Sequence, residues 1–300
     1  MGKVAILCDT NCGIMKAEAE TLGVFIQPMP FYINDELFYE GVNLSHEDFY
    51  ERQTSGARIT TSMPLVGDVM DKWDELLKDY DEVVYIPMSS GLSSSCETAA
   101  MLAEDYDGRV QVVDNHRISV TQKLSVYEAV SLANEGKPAK EIKDYLEAHR
   151  GESHIYIMVD TLEYLKKGGR LTPAVAALGT LFHIKPVLQI QGEKLDTFAK
   201  VRTLKQAKAV MLDKIAKDMD EDFHDKAGEG CVISIAHTQN REEAEIFRQE
   251  ALERFPDHDI AIDPLSLSIA CHIGPGSLAI TTSKSFISKI RETETSSEDK

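Results

Sequence analysis

The sequence predicts an α/β protein in two parts, a mainly parallel α/β first half and a mixed-sheet α/β second half. Three observations carry this reading. Short apolar runs such as "VAILCD" and "EVVYIPM" alternate with segments of helical period, the pattern of βαβ units. Near Gly151 the style changes: apolar runs flank a turn at Gly192, and there the pairing reads as antiparallel. The length, 300 residues, suits two domains of roughly 150 residues each.

In order, "VAILCD" (4–9) is a first parallel strand ending at polar residues. "PFYINDELFYEG" (30–41) reads as a hairpin turning at Asn34-Asp35. Residues 62–80 carry Val66, Val69, Met70, Trp73, Leu76 and Leu77 at helical spacing. "EVVYIPM" (82–88) and "RVQVVD" (109–114) are strands, separated by a helix that follows a run of serines. "SVYEAVSLANEG" continues as a helix stopped by Gly136, and Pro138 opens another reaching Arg150. A boundary near 150 gives units of 1–150 and 151–291, with 292–300 a frayed, charged tail. The second unit begins with the strand "HIYIMVD" (154–160) and a short helix stopped by Gly168-Gly169. A small-residue helix, "TPAVAALGTLF", precedes the paired strands of 184–201. A charged helix (203–222), the strand "CVISIAHT" (231–238), a helix (240–255) and the strand "DIAIDPL" follow.

The chain is acidic, with 50 Asp and Glu against 32 Lys and Arg and a formal charge of −18. A nucleic-acid backbone or an anionic membrane surface would be repelled, so any anionic ligand must be held by local donors. Five scattered cysteines suit a reducing compartment better than a disulfide framework. No apolar run approaches the ~18 residues of a membrane span, so the expectation is a cytoplasmic protein that is not an integral membrane protein.

Three motifs stand out. In "IPMSSGLSSSCETAAML" (86–102) a strand hands over to a helix through Ser89, Ser90, Ser93, Ser94 and Ser95. Ser94 followed by Glu97 fits a capping box, which needs one hydroxyl where five are present. Gly91 permits close backbone approach. Helix N–H groups beside hydroxyls make an anion site without a cation. In "ITTSMP" (59–64) Thr61 or Ser62 can cap a helix whose first turn holds Pro64. In "CHIGPGSLAI" (271–280) the turn Gly274-Pro275-Gly276 sets His272 on one side and Ser277 on the other.

These motifs, with "DTNCGI", "VVDN", "DTLEYLKKGGRL", "IKPVLQIQGEKL" and "VRTLKQA", make the sequence resemble the DegV family nearly end to end. The resemblance implies a two-domain α/β protein that binds a long-chain fatty acid in a tunnel and takes no other cofactor. It further implies that the acid is handed, carboxyl end exposed, to a separate fatty acid kinase that makes an acyl-phosphate. By that likeness Thr61, Ser93 and His272 lie around the carboxylate; the motifs add Ser62 to them, with Gly91, Ser94, Gly274 and Ser277 in support. Two departures are evident: Met63 replaces the family's usual Gln, and Ser94-Ser95 replace its Gly-Thr. Small-residue segments such as "AVAALG" are expected to line the tunnel.

The rival is a hydrolase acting on an acyl substrate through Ser93, His272 and Asp9 or Asp114. No G-x-S-x-G elbow supports it. A phosphate-binding G-x-x-x-x-G-K-[ST] loop is also missing, and no H-E-x-x-H or paired C-x-x-C suggests a metal. Catalytic residues are therefore expected to be none. Lys166 and Lys167 read as a solvated helix end. Arg170, after Gly-Gly, and Arg202 read as docking points for the partner kinase.

Overall fold

The structure is a computed structural model, and it describes residues 2–168, 172, 184–191 and 195–287. Arg170, Gly192, the tail and nearly all of the "TPAVAALGTLF" segment fall outside the described residues.

The first half is built on a parallel sheet of four strands in the order β2-β1-β6-β7. These are β1 (Val4–Asp9), β2 (Phe25–Gln27), β6 (Glu82–Ile86) and β7 (Val110–Val112). Both faces are covered, as parallel strands require. Ile6, Cys8, Val84 and Ile86 pack on α5 (Val120–Asn134) and α6 (Ala139–Ala148). The alternate residues Ala5, Leu7, Val83 and Tyr85 pack on α3 (Val66–Leu76) and α4 (Ser95–Ala103), with Trp73 at the centre. The period of two along each strand thus assigns each side chain to one of two cores.

A small antiparallel sheet, β4-β3-β5, projects from this half. Its hairpin, β3 (Pro30–Ile33) and β4 (Glu36–Tyr39), turns at Asn34 and Asp35, both at positive φ as a tight hairpin turn requires. The third strand is β5 (Ile59–Thr61). Helix α2 (His46–Thr54), capped by the Ser45 hydroxyl, completes this layer. Phe31, Ile33 and Phe49 pack on Leu267, Ala270 and Cys271 of the second half.

The second half is a mixed six-stranded sheet in the order β10-β9-β8-β13-β11-β12. Its strands are β8 (Ser153–Met158), β9 (Lys185–Ile190), β10 (Asp196–Val201), β11 (Cys231–His237), β12 (Ala261–Pro264) and β13 (Leu278–Lys284). Among the described residues of this sheet only β11 and β12 pair in parallel. One face, with Tyr156, Met158, Ile233, Ile235, Leu278 and Ile280, is covered by α8 (Leu204–Lys217) and α9 (Arg241–Arg254). The other face, with Ile155, Ile157, Ala236 and Ala279, turns toward the first half and meets Ile118 and Val120. Polar contacts cross the seam: Lys123 Nζ lies 3.0 Å from Glu18 and 3.2 Å from Asp263. The Ser285 hydroxyl donates to Glu128, which is buried against Arg117 at 3.2 Å.

Several local expectations are corrected. Thr61 ends a strand and does not cap a helix; α3 begins at Val66, after the uncapped Leu65, so Pro64 precedes its first turn. Ser94 makes no side-chain cap, because it already has helical dihedrals; the Ser93 hydroxyl instead accepts the Ser95 N–H at 3.2 Å. The charged helix of 203–222 is α-helical to Lys217 and closes in a π-helical turn, Asp218–Asp222. The sequence reading missed α1 (Lys16–Leu22), α2, β2, β5, β13 and the helix α10 (Leu267–Ile273).

Candidate functional site: an apolar cavity with a hydroxyl and imidazole rim

A cavity with an empty volume of about 900 Å³, counting its mouth, lies between the ends of the parallel strands and the mixed sheet. Its walls are mainly aliphatic: Ile118 and Val120 from the first half, and Ile155, Ile157, Ile190, Leu195, Ala236 and Ala279 from the second. Thr61, Ser62, Ser93 and His272 all line it. Both halves thus supply aliphatic walls, and the end of β5, the serine turn and the last turn of α10 bring the polar groups to the same cavity.

Each rim residue is set by local structure. Thr61 is the last residue of β5, opposite Phe31, and the Ser62 N–H donates to Pro30 O at 3.2 Å. Ser93 sits in a tight turn in which the Leu92 and Ser93 N–H groups donate to Ser89 O. That turn is tied down by Ser89 N–H to Arg117 O and Ser90 N–H to Asp114 Oδ1. His272 occupies the last turn of α10, and its Nε2 lies 2.9 Å from Thr61 Oγ1. Gly274 ends the helix at φ 74. Thr238 then staples the turn: its hydroxyl donates to Gly274 O and accepts from Ser277 N–H, while its carbonyl accepts from Gly276 N–H.

The supporting residues divide. Gly91, Ser94, Gly274 and Ser277 are not among the residues lining the cavity. Gly91 and Gly274 shape the two turns, the Gly91 N–H donating to the Ser89 hydroxyl at 3.2 Å. Ser277 is fully buried, its N–H held by the Thr238 hydroxyl. Ser94 donates to the sulfur of Met63, which also receives the Thr98 hydroxyl and lines the cavity. The two departures from the family pattern therefore touch each other.

Thr61 and His272 also line a second, open groove with Arg58, Tyr164 and Lys167. Thr61 and His272 thus border both the apolar cavity and this groove. Neither aspartate completes a triad. Asp9 is wholly buried, and its carboxylate accepts from the N–H groups of Asn11 and Met88 and from Gln122. Burial pushes its pKa up despite those bonds, so it serves as a brace between loops. Asp114 faces Ser90 and His116.

Sequence reasoning missed Met29, Met88, Ser119, Ser268 and Thr281 on the walls. The aliphatic wall residues could have been found from alternation in "HIYIMVD", where Ile155 and Ile157 share one face. Lys167 pairs with Glu163 on α7 (Glu163–Gly168), as a solvated helix end should. Arg202 is exposed at the start of α8, its N–H bonded to Gln206. His154, Asp218 and Asp222 come within metal-ligand reach of one another, but Lys214 already pairs with both aspartates. Among the described residues no helix is long and apolar enough to cross a membrane.

Comparison with known proteins places this arrangement. A family model described as "Uncharacterised protein, DegV family" matches residues 3–285. Protein DegV of Bacillus subtilis is 29% identical over 283 residues, covering 92% of this chain and 98% of that protein. The crystal structure of B. subtilis DegV, described as a fatty acid binding protein, aligns with a TM-score of 0.83 at 27% identity, covering 95% of this chain and 100% of that one. A fatty acid binding DegV family protein from Streptococcus agalactiae aligns with a TM-score of 0.84 at 25% identity, covering 95% and 99%. With the match running from residue 3 to residue 285 and the fold shared throughout, this chain belongs to the DegV family.

Proposed function

We propose that the chain binds a long-chain fatty acid, with the acyl chain in the apolar cavity and the carboxylate held by Thr61, Ser62, Ser93 and His272. The observation that carries the reading is that Thr61 and His272 line both the aliphatic cavity and the neighbouring groove. Removing about fifteen methylenes from water at ~0.8 kcal/mol each contributes about 12 kcal/mol before ordering costs. The interior therefore supplies the affinity. The carboxylate needs hydrogen-bond partners, since an unpaired charge taken from water costs several kcal/mol. Hydroxyls and an imidazole meet that need and leave the head group reachable from the groove.

On this reading the chain is not itself an enzyme; it presents the acid to a separate kinase that forms the acyl-phosphate. Residues 1–150 and 151–291 act as two units that enclose the ligand. Arg170 and Arg202 dock the kinase. The similar proteins described as fatty acid binding support the first step. The test is native mass spectrometry of protein from a bacterial host, followed by kinase-dependent phosphorylation. The expected result is an added mass matching a C14–C18 acid, with slower acyl-phosphate formation but unchanged acid affinity in Arg202→Ala. Apo protein that shows no thermal shift with added acids overturns the reading.

A further inference from the structure

We propose that Ser119 is a second polar anchor inside the cavity, recognising a hydroxyl carried on the acyl chain, so that the preferred ligands include hydroxylated long-chain fatty acids. The inference rests on the reading that the cavity takes a fatty acid, and adds a substrate class to it.

Ser119 stands immediately before α5, between the wall residues Ile118 and Val120. It lines the cavity and is 7% exposed. Its backbone is at φ 60 and ψ −138, a region that L residues rarely occupy and that glycine adopts at little cost. A turn needing only this bend is served better by glycine, so the side chain has its own use.

That use is not helix capping. Although Ser119 occupies the capping position, its hydroxyl makes no cap, and it has no hydrogen-bond partner among the described residues. Local bonding falls to Thr121, whose hydroxyl donates to Ile118 O and accepts from Ile118 N–H. The other wall hydroxyls away from the rim are engaged: Ser268 donates to Asn11, and Thr281 to Ser234 O. Ser119 therefore offers an unsatisfied donor and acceptor to the cavity, beside the first turn of a 15-residue helix.

A chain made only of methylenes leaves this hydroxyl unpaired where water is displaced. A chain hydroxyl pairs with it, and its oxygen is favoured beside the partial positive charge of the α5 N-terminus. A second carboxylate fits less well, because among the described residues no Lys or Arg lines the cavity. The nearby Lys123 is committed to Glu18 and Asp263.

The experiment measures dissociation constants for stearic acid and for a set of hydroxystearic acids differing in hydroxyl position. The proteins are wild type, Ser119→Ala and Ser119→Gly. At least one isomer should bind the wild type about three- to tenfold more tightly than stearic acid, the yield of one added hydrogen bond. Both substitutions should abolish that preference while keeping stearic acid affinity. Ser119→Gly also relieves the positive φ, so its thermal midpoint should equal or exceed that of the wild type. If stearic acid binds but no isomer is preferred, or if the preference survives in both variants, Ser119 is not an anchor. If neither stearic acid nor any isomer binds, the fatty acid reading fails as well.

Discussion

The Ser93 hydroxyl has two partners to serve. It accepts the Ser95 N–H at 3.2 Å, taking over the cap that Ser94 cannot make, and it lines the cavity rim. Ser93→Ala should therefore act on two measurements. Chemical denaturation should show a loss of about 1 kcal/mol from the missing cap. Acid affinity should fall by about 1.5–3 kcal/mol, the worth of a hydrogen bond to a charged group. A variant that loses stability but binds acid as the wild type does would remove Ser93 from the head-group set. At this scale the sequence was informative about which residues meet, because five serines in one turn exceed what capping requires. It pointed to the wrong serine for the cap, Ser94, where Ser93 makes it. That choice depends on backbone dihedrals, and Ser94 enters the helix already at φ −73 and ψ −1. Ser119 was illegible for the same reason: one serine in "HRISV" gives no sign of positive φ.

The elements that position the rim are the short ones, and these were hardest to read. A three-residue strand such as β5 shows no alternation to detect, and "ITTSMP" carries a genuine helix-start composition. Helix α10 has seven residues, of which Leu267, Ser268, Ala270, Cys271 and Ile273 are buried, so it lacks a polar stripe to reveal its period. Its stop signal was legible, since Gly274-Pro275-Gly276 cannot continue a helix. Gly274 is fixed by two constraints at once: φ of 74, and a Tyr164 ring that would meet an added Cβ at 2.3 Å. Gly274→Ala should cost at least about 2 kcal/mol, the backbone region at φ 74 and ψ 176 alone accounting for about 1–3. Because the turn carries His272, acid affinity should drop with stability. Urea denaturation beside a binding isotherm tests this; a stable variant with altered binding would mean that the turn moves freely around Tyr164.

For the whole molecule, the alternation of strand and helix and the change of style near Gly151 were enough to anticipate a parallel sheet and a mixed sheet. The way these sheets face each other was not legible, because it depends on side chains far apart in sequence. Ile118 and Val120 reach the mixed sheet, and Lys123 bridges Glu18 to Asp263 across the seam. The same packing buries His237 at the end of β11, where its Nδ1 accepts the Asn240 N–H at 3.2 Å. An accepting Nδ1 is unprotonated, and protonation would break this bond. Burial, reinforced by the Arg241 charge, lowers the His237 pKa below its ordinary 6.5, with Asp263 opposing weakly. The sign follows from linkage. Above about pH 6.5 the imidazole is neutral in both folded and unfolded chains, and its contribution is whole. As pH falls below that value the unfolded chain takes up a proton that the folded chain refuses. Stability should therefore decline from about pH 6.5 down to the depressed folded pKa, by at most about 1.4 kcal/mol per pH unit for this one group. His237→Asn keeps an acceptor for Asn240 but cannot titrate, so its stability between pH 5 and 6.5 should be flatter than that of the wild type. Parallel slopes for the two proteins over that range would mean that another group carries the acid limb.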